Sequence, residues 1–95
     1  MVVHTFAFRW KPGVTDEQKE RVHREILALQ TQIPGILETN AGFNFSPRSQ
    51  GHDFGGVMKF PDRASREAYN NHPVHQQLLS WFLPLIDPLE VDFEV

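Results

Sequence analysis

Val2-Val3-His4-Thr5-Phe6-Ala7-Phe8-Arg9-Trp10 is the segment on which the architecture turns. A strand places successive side chains on opposite faces, and this segment alternates. His4, Phe6, Phe8 and Trp10 point one way; Val3, Thr5, Ala7 and Arg9 point the other. The first set needs a thick apolar cover, which helices supply. The segment reads as a first strand and not as a signal peptide, because it lacks a basic leader and reaches Arg9 and Lys11 at once. Cytoplasmic is the location expected.

Lys11-Pro12-Gly13 ends the strand as a turn. Thr15-Asp16-Glu17-Gln18 has the form of a capping box. Val22, Ile26, Leu29 and Ile33 then follow at helical spacing, giving one apolar stripe on a helix of about five turns. Pro34-Gly35 stops it. Residues 36–46 and 54–60 read as strands joined by a loop rich in turn formers. Asp62 caps a short helix to about Asn71. Pro73 starts another that carries Leu78, Leu79, Phe82 and Leu83, with Pro84 and Pro88 bracketing its end. Leu89 to Val95 alternates as a fourth strand.

The order β-α-β-β-α-β is the split βαβ, or ferredoxin-like, arrangement: an α+β fold with a four-stranded antiparallel sheet and its helices on one face. Phe6, Phe8, Phe54, Met58, Phe60 and Phe93 are assigned to the helix-covered face. Val3, Thr5, Ala7, Gly55 and Val57 are assigned to the other, fringed by Arg9, Lys59, Glu90 and Asp92. That second face is too apolar to stay wet and too small-sided to build its own core. A twofold copy presenting the same face would cover it, so a homodimer closing into an α/β barrel is expected.

Composition narrows the function classes. Ninety-five residues, 1–95, leave room for one domain only. A net charge of −3 without a basic cluster speaks against nucleic acid as a partner. Arg63 and Arg66, set among Asp62 and Glu67, read as a solvated helix face. The absence of cysteine excludes a disulfide framework, a thiolate zinc site and a cysteine nucleophile. No apolar run approaches the ~18 residues that span a membrane. Gly51, Gly55 and Gly56 do not form a phosphate-cradling loop or a dinucleotide fingerprint, so no cofactor is expected.

The chemistry concentrates in Tyr69-Asn70-Asn71-His72-Pro73-Val74-His75. Pro73 suits a first helical position and keeps His72 extended at the N-cap. His75 then falls in the first turn, beside unpaired N–H groups whose field disfavours an imidazolium. Such a histidine is neutral at pH 7 and can act as a base. The plainer reading is that His72 caps the helix and His75 packs in a satisfied hydrogen bond. His4 shares the aromatic face of the first strand, where an unpartnered imidazole is costly. Four polar groups (His4, Tyr69, His72 and His75) can therefore converge on one apolar cavity, the usual form of a ligand site. A metal is the rival reading for three histidines, but no carboxylate has ligand spacing beside them, and no metal is expected.

These residues resemble a known family over nearly the whole chain. The matching features are His4, Lys11-Pro12-Gly13-Val14-Thr15, Ile33-Pro34-Gly35-Ile36, Gly42-Phe43-Asn44-Phe45-Ser46-Pro47, the Tyr69 to His75 segment and Val91-Asp92-Phe93-Glu94-Val95. Together they resemble the stress-responsive A/B-barrel (dimeric α/β-barrel) domain proteins. That family includes a plant polyketide cyclase that forms olivetolic acid by a cofactor-free intramolecular aldol condensation. The resemblance implies that Tyr69 and His75 are a catalytic pair supported by His4 and His72. The substrate wall is expected from Phe6, Phe8 and Gly56 of the sheet, Val22, His23 and Ile26 of the first helix, and Leu78 and Leu79 of the last. Two function classes follow. One is a cofactor-free cyclase, aldol-type or proton-transfer enzyme on an apolar, carbonyl-rich substrate. The other is a non-catalytic stress-responsive dimer that binds an apolar ligand or stabilises other proteins.

Overall fold

The alternating N-terminal segment forms β1 (Val2–Trp10), and the computed structural model describes residues 1–95 from that strand onward. There follow α1 (Asp16–Gln32), β2 (Glu38–Phe43), β3 (Phe54–Phe60), α2 (Arg63–Asn71), α3 (Pro73–Phe82), a 3₁₀ turn (Leu83–Leu85) and β4 (Ile86–Glu94). The four strands form one antiparallel sheet in the order β2-β3-β1-β4. This is the ferredoxin-like βαββαβ fold, with its helices on one side of the sheet. No helix is long and apolar enough to cross a membrane.

Local chemistry sets the helix starts. Thr15 Oγ1 accepts from the Gln18 N–H at 3.2 Å while Gln18 Oε1 accepts from the Thr15 N–H at 2.9 Å, a complete capping box. Asp62 accepts from the Ser65 N–H at 2.8 Å and starts α2. The core lies between the sheet and the helices. Val22, Ile26 and Leu29 of α1 meet Phe8, Phe54, Met58 and Phe60 there, and Leu78 and Phe82 of α3 close the layer.

Three boundaries differ from the sequence reading. β2 is shorter than residues 36–46 because Asn44 turns the chain through side-chain bonds to Ser46. α3 ends at Phe82, since Pro84 cannot continue the helix and the next three residues tighten to 3₁₀. Pro88 lies inside β4, which begins at Ile86. An edge strand tolerates it, because a missing N–H can face away from the sheet.

The fourth strand also shows the opposite face to the helices. Asp92 stands opposite His4 and Glu90 opposite Phe6, so these acids share the helix-covered side. Phe93 stands opposite Val3 and Val91 opposite Thr5, on the open side. The assignment of Phe93 to the core, and of Glu90 and Asp92 to the outer fringe, is thereby corrected. Alternation within a strand separates two faces but does not say which is inward; pairing register decides. The open face is left more apolar than expected, with Leu89, Val91 and Phe93 each about half exposed.

Candidate active site

The α2–α3 junction places three of the expected residues. His72 ends α2 and caps α3, its Nδ1 accepting from the Val74 N–H at 3.1 Å. Pro73 is the first helical residue of α3, and His75 falls in its first turn. Tyr69, in the last turn of α2, lies against His75 with ring centroids 4.2 Å apart. His4 comes from the sheet below, its ring 6.2 Å from Tyr69.

His4, Tyr69 and His75 line one cavity of about 90 Å³ that is otherwise mostly apolar. Phe6, Phe8, Ile26, Leu78 and Leu79 line it as well, and Glu90 stands on its wall. His72, Val22, His23 and Gly56 do not line it. His72 is occupied as a cap. Val22 is fully enclosed in the core beneath α1. His23 turns toward β2, with Nε2 bonded to the Ala41 carbonyl at 3.0 Å and the ring edge-on to Phe43 and Phe54. Gly56 is covered by the Phe6 ring: a β-carbon there would lie 2.2 Å from Phe6 Cζ.

Hydrogen bonds settle the tautomers. His75 Nδ1 lies 3.1 Å from the Asn70 carbonyl, which can only accept, so Nδ1 carries the proton. His4 Nδ1 lies 2.5 Å from Asp92 Oδ1, and the carboxylate likewise only accepts. Both imidazoles therefore present Nε2 as a free lone pair. Neither Nε2, nor the Tyr69 hydroxyl, belongs to the enclosed unpaired atoms, which are Thr39 Oγ1 and Arg66 Nε. These three groups keep some accessible surface, and all three residues line the cavity.

Burial sets their protonation. It lowers the His4 pKa most, with Arg66 acting the same way and the Asp92 hydrogen bond opposing it. It lowers that of His75 as well, against the Asn70 hydrogen bond and with help from Arg66. It holds the Tyr69 phenol well above its ordinary range. Two neutral imidazoles and a neutral phenol thus line the same mostly apolar cavity.

Three further residues complete the site: Asp92, Glu90 and Arg66. Arg66 is not on a solvated face. Its side chain is only 15% exposed, folded under β4 with Nη2 3.4 Å from Asp92 Oδ2 and 3.9 Å from Glu90 Oε2. The sequence holds one usable signal for the two acids. His4-Thr5-Phe6 and Glu90-Val91-Asp92 share a two-residue spacing, which antiparallel pairing brings face to face. No three of the His, Asp and Glu side chains are arranged to hold a metal ion.

The model of the Stress responsive A/B Barrel Domain matches residues 2–95. Among solved structures, a protein of Arabidopsis thaliana superposes with a TM-score of 0.90 at 23% identity, covering 100% of this chain and 95% of that one. A dimeric ferredoxin-like protein of unknown function from Thermobifida fusca gives 0.87 at 27% identity, over 99% and 90% of the two chains. A hydroxynitrile lyase from Passiflora edulis gives 0.85 at 20% identity, over 98% and 93%. No curated protein matches the chain. A match running from Val2 to Val95, on a sheet of this order, places the chain in the stress-responsive A/B barrel domain family.

Proposed function

We propose that this protein is a cofactor-free acid–base enzyme acting on a small, apolar, carbonyl-rich substrate, by aldol-type cyclisation or by proton transfer beside a carbonyl. The observation that carries the reading is the convergence of two neutral imidazole Nε2 atoms and a neutral phenol on one cavity. In this scheme His75 Nε2 takes a proton from carbon, and the Tyr69 O–H donates to the enolate oxygen that forms. The enolate attacks a second carbonyl, and the proton held by His75 passes to the new alkoxide. His4, held by Asp92, is the second base on the opposite wall. A base weakened by burial removes only an acidified proton, such as one between two carbonyl groups, which favours polyketide-like substrates. The cavity admits only the reacting end of a long one. That the Passiflora edulis neighbour is a hydroxynitrile lyase supports an enzyme reading by analogy of fold.

The working unit in this proposal is a homodimer joined through the open sheet face. Val3, Thr5, Ala7 and Val57 at its centre and the half-exposed Leu89, Val91 and Phe93 at its side support it. The same exposed face supports a second reading, a non-catalytic dimer that binds an apolar ligand or stabilises other proteins.

Deuterium exchange at the central carbon of 1,3-diketones of graded size separates the two. The enzyme reading expects exchange well above buffer, reduced on the order of 10²–10⁴ by His75→Ala and on the order of 10²–10³ by Tyr69→Phe. Exchange at the buffer rate for every diketone, or equal rates in the variants, leaves the binding reading.

A further inference from the structure

Arg66 is the least expected group in the molecule. Its guanidinium carbon lies 6.0 Å from the Phe60 ring centroid and 5.4 Å from that of Tyr69. Its Nε is enclosed and donates to no protein acceptor. Its one hydrogen bond to a carboxylate, to Asp92 Oδ2, is long at 3.4 Å. A largely covered cation whose Nε has no acceptor and whose one carboxylate hydrogen bond is long is compensated less well than it would be in water. Groups kept at such a cost cluster at functional sites.

Its surroundings show what it does. Asp92 is held at both oxygens, Oδ1 by the His4 Nδ1–H and Oδ2 by Arg66. Arg66 Nη2 itself lies 3.3 Å from His4 Nδ1, and both nitrogens are donors, so the two share Asp92 and do not bond each other. The charged and titratable groups around His4 are Asp92 and Glu90 from β4, Arg66 and Tyr69 from α2, and His75 from α3. Beside it on β1 and across from it on β3 stand only Val3, Thr5 and Met58. Arg66 is the one cation in this set.

We propose that Arg66 is a positioning residue of the cavity: it fixes the Asp92 carboxylate that orients His4, and it is the standing positive charge that keeps the cavity bases free to accept a proton. This rests on the acid–base reading of the cavity, but its test does not need turnover. A cation at this place repels an imidazolium at His4 and at His75, and attracts an oxyanion formed beside Tyr69. Removing it also frees Asp92 and Glu90 to favour the imidazolium, so both changes act in one direction.

The test compares the whole protein with Arg66→Met and Arg66→Lys, following each histidine ring by nitrogen-resolved NMR from pH 4 to pH 8. Arg66→Met is expected to melt at or above the wild-type temperature while the titration midpoint of His4 moves to higher pH. A midpoint higher by about one pH unit means roughly tenfold more imidazolium at a fixed pH above it. The His4 tautomer should also lose its single Nδ1–H form. Arg66→Lys keeps the charge without the fork and should fall between. A His4 titration and tautomer unmoved in Arg66→Met would overturn the proposal, as would a lower melting temperature with no change at His4, the mark of a purely structural residue. Should Arg66→Met not fold, Arg66→Gln and Arg66→Lys make the same comparison. A displaced His4 midpoint in a protein that exchanges no diketone supports the role of Arg66 and removes only the catalytic reading.

Discussion

Mild acid should destabilise this protein through His4 and His75. Both are neutral when folded, with pKa values lowered chiefly by burial. In the unfolded chain each returns to about 6.5. Below that pH the unfolded state binds protons that the folded state refuses, so stability falls as pH falls. The loss begins near the unfolded value and levels off once pH passes the lowered folded value. A histidine that stays neutral removes at most about 1.4 kcal/mol per pH unit, and only between its unfolded value and its lowered folded value; partial solvent access at His75 makes its share smaller. Against the roughly 5–15 kcal/mol that holds such a domain together, even a part of that ceiling is measurable as a fall in Tm. Urea unfolding at fixed protein concentration between pH 7.5 and 5.5 reads it. Glu38 and Asp62, whose pKa values are lowered by Lys59 and by the Ser65 N–H respectively, lose their contributions only at lower pH. The control is the double variant His4→Asn/His75→Asn. Asparagine Nδ2–H can replace the Nδ1–H donor to Asp92 and to the Asn70 carbonyl, yet it does not titrate. Its stability should fall less steeply than that of the wild type as pH drops below about 6.5. Equal slopes in the two proteins would mean that neither histidine carries the acid sensitivity.

Gly56→Ala should lower stability by about 1–3 kcal/mol through overpacking, because Phe6 must retreat from a 2.2 Å contact and its ring lines the cavity. Thermal melting together with diketone titration checks it, with binding weakened more than folding. Val57→Glu should convert a dimer to protomers or unfold the chain by burying an unpaired charge on the open face, and sedimentation equilibrium reads the outcome; an intact dimer would move the interface elsewhere.

Much of this molecule is legible in the sequence because its signals are local. The Thr15–Gln18 box, the Val22-Ile26-Leu29 stripe and Pro73 each act within a turn or two, and the helices start where these residues place them. The cavity trio is readable for a related reason: strand parity gives His4 its face, and Pro73 gives His75 its turn. What stays hidden depends on pairing between distant segments. Nothing within residues 89–95 says that Asp92 faces His4; only the register against β1 does. Arg66 reads as solvated for the same reason, since its acidic partners Glu90 and Asp92 fall on the wrong side of the sheet when β4 is read alone. His72 and Gly56 have structural tasks, a cap and a seat for Phe6, that come before any claim on chemistry.

The position of β1 between β3 and β4 governs how this protein is made. Val2 pairs with Phe60 on one side and with Glu94 on the other, so the ribosome releases β1 long before either neighbour exists. The contacts of α1 and of the β2–β3 hairpin are comparatively local and can form early, whereas closing β4 onto β1 must first overcome the entropy of a loop almost as long as the chain. Until that step the strand has at least one bare edge and an aromatic face, a template for pairing with other nascent chains. The period of greatest aggregation risk therefore falls during synthesis. A variant that weakens β4 should show its defect first in the yield of newly made protein, before any change in the melting of molecules that have already folded.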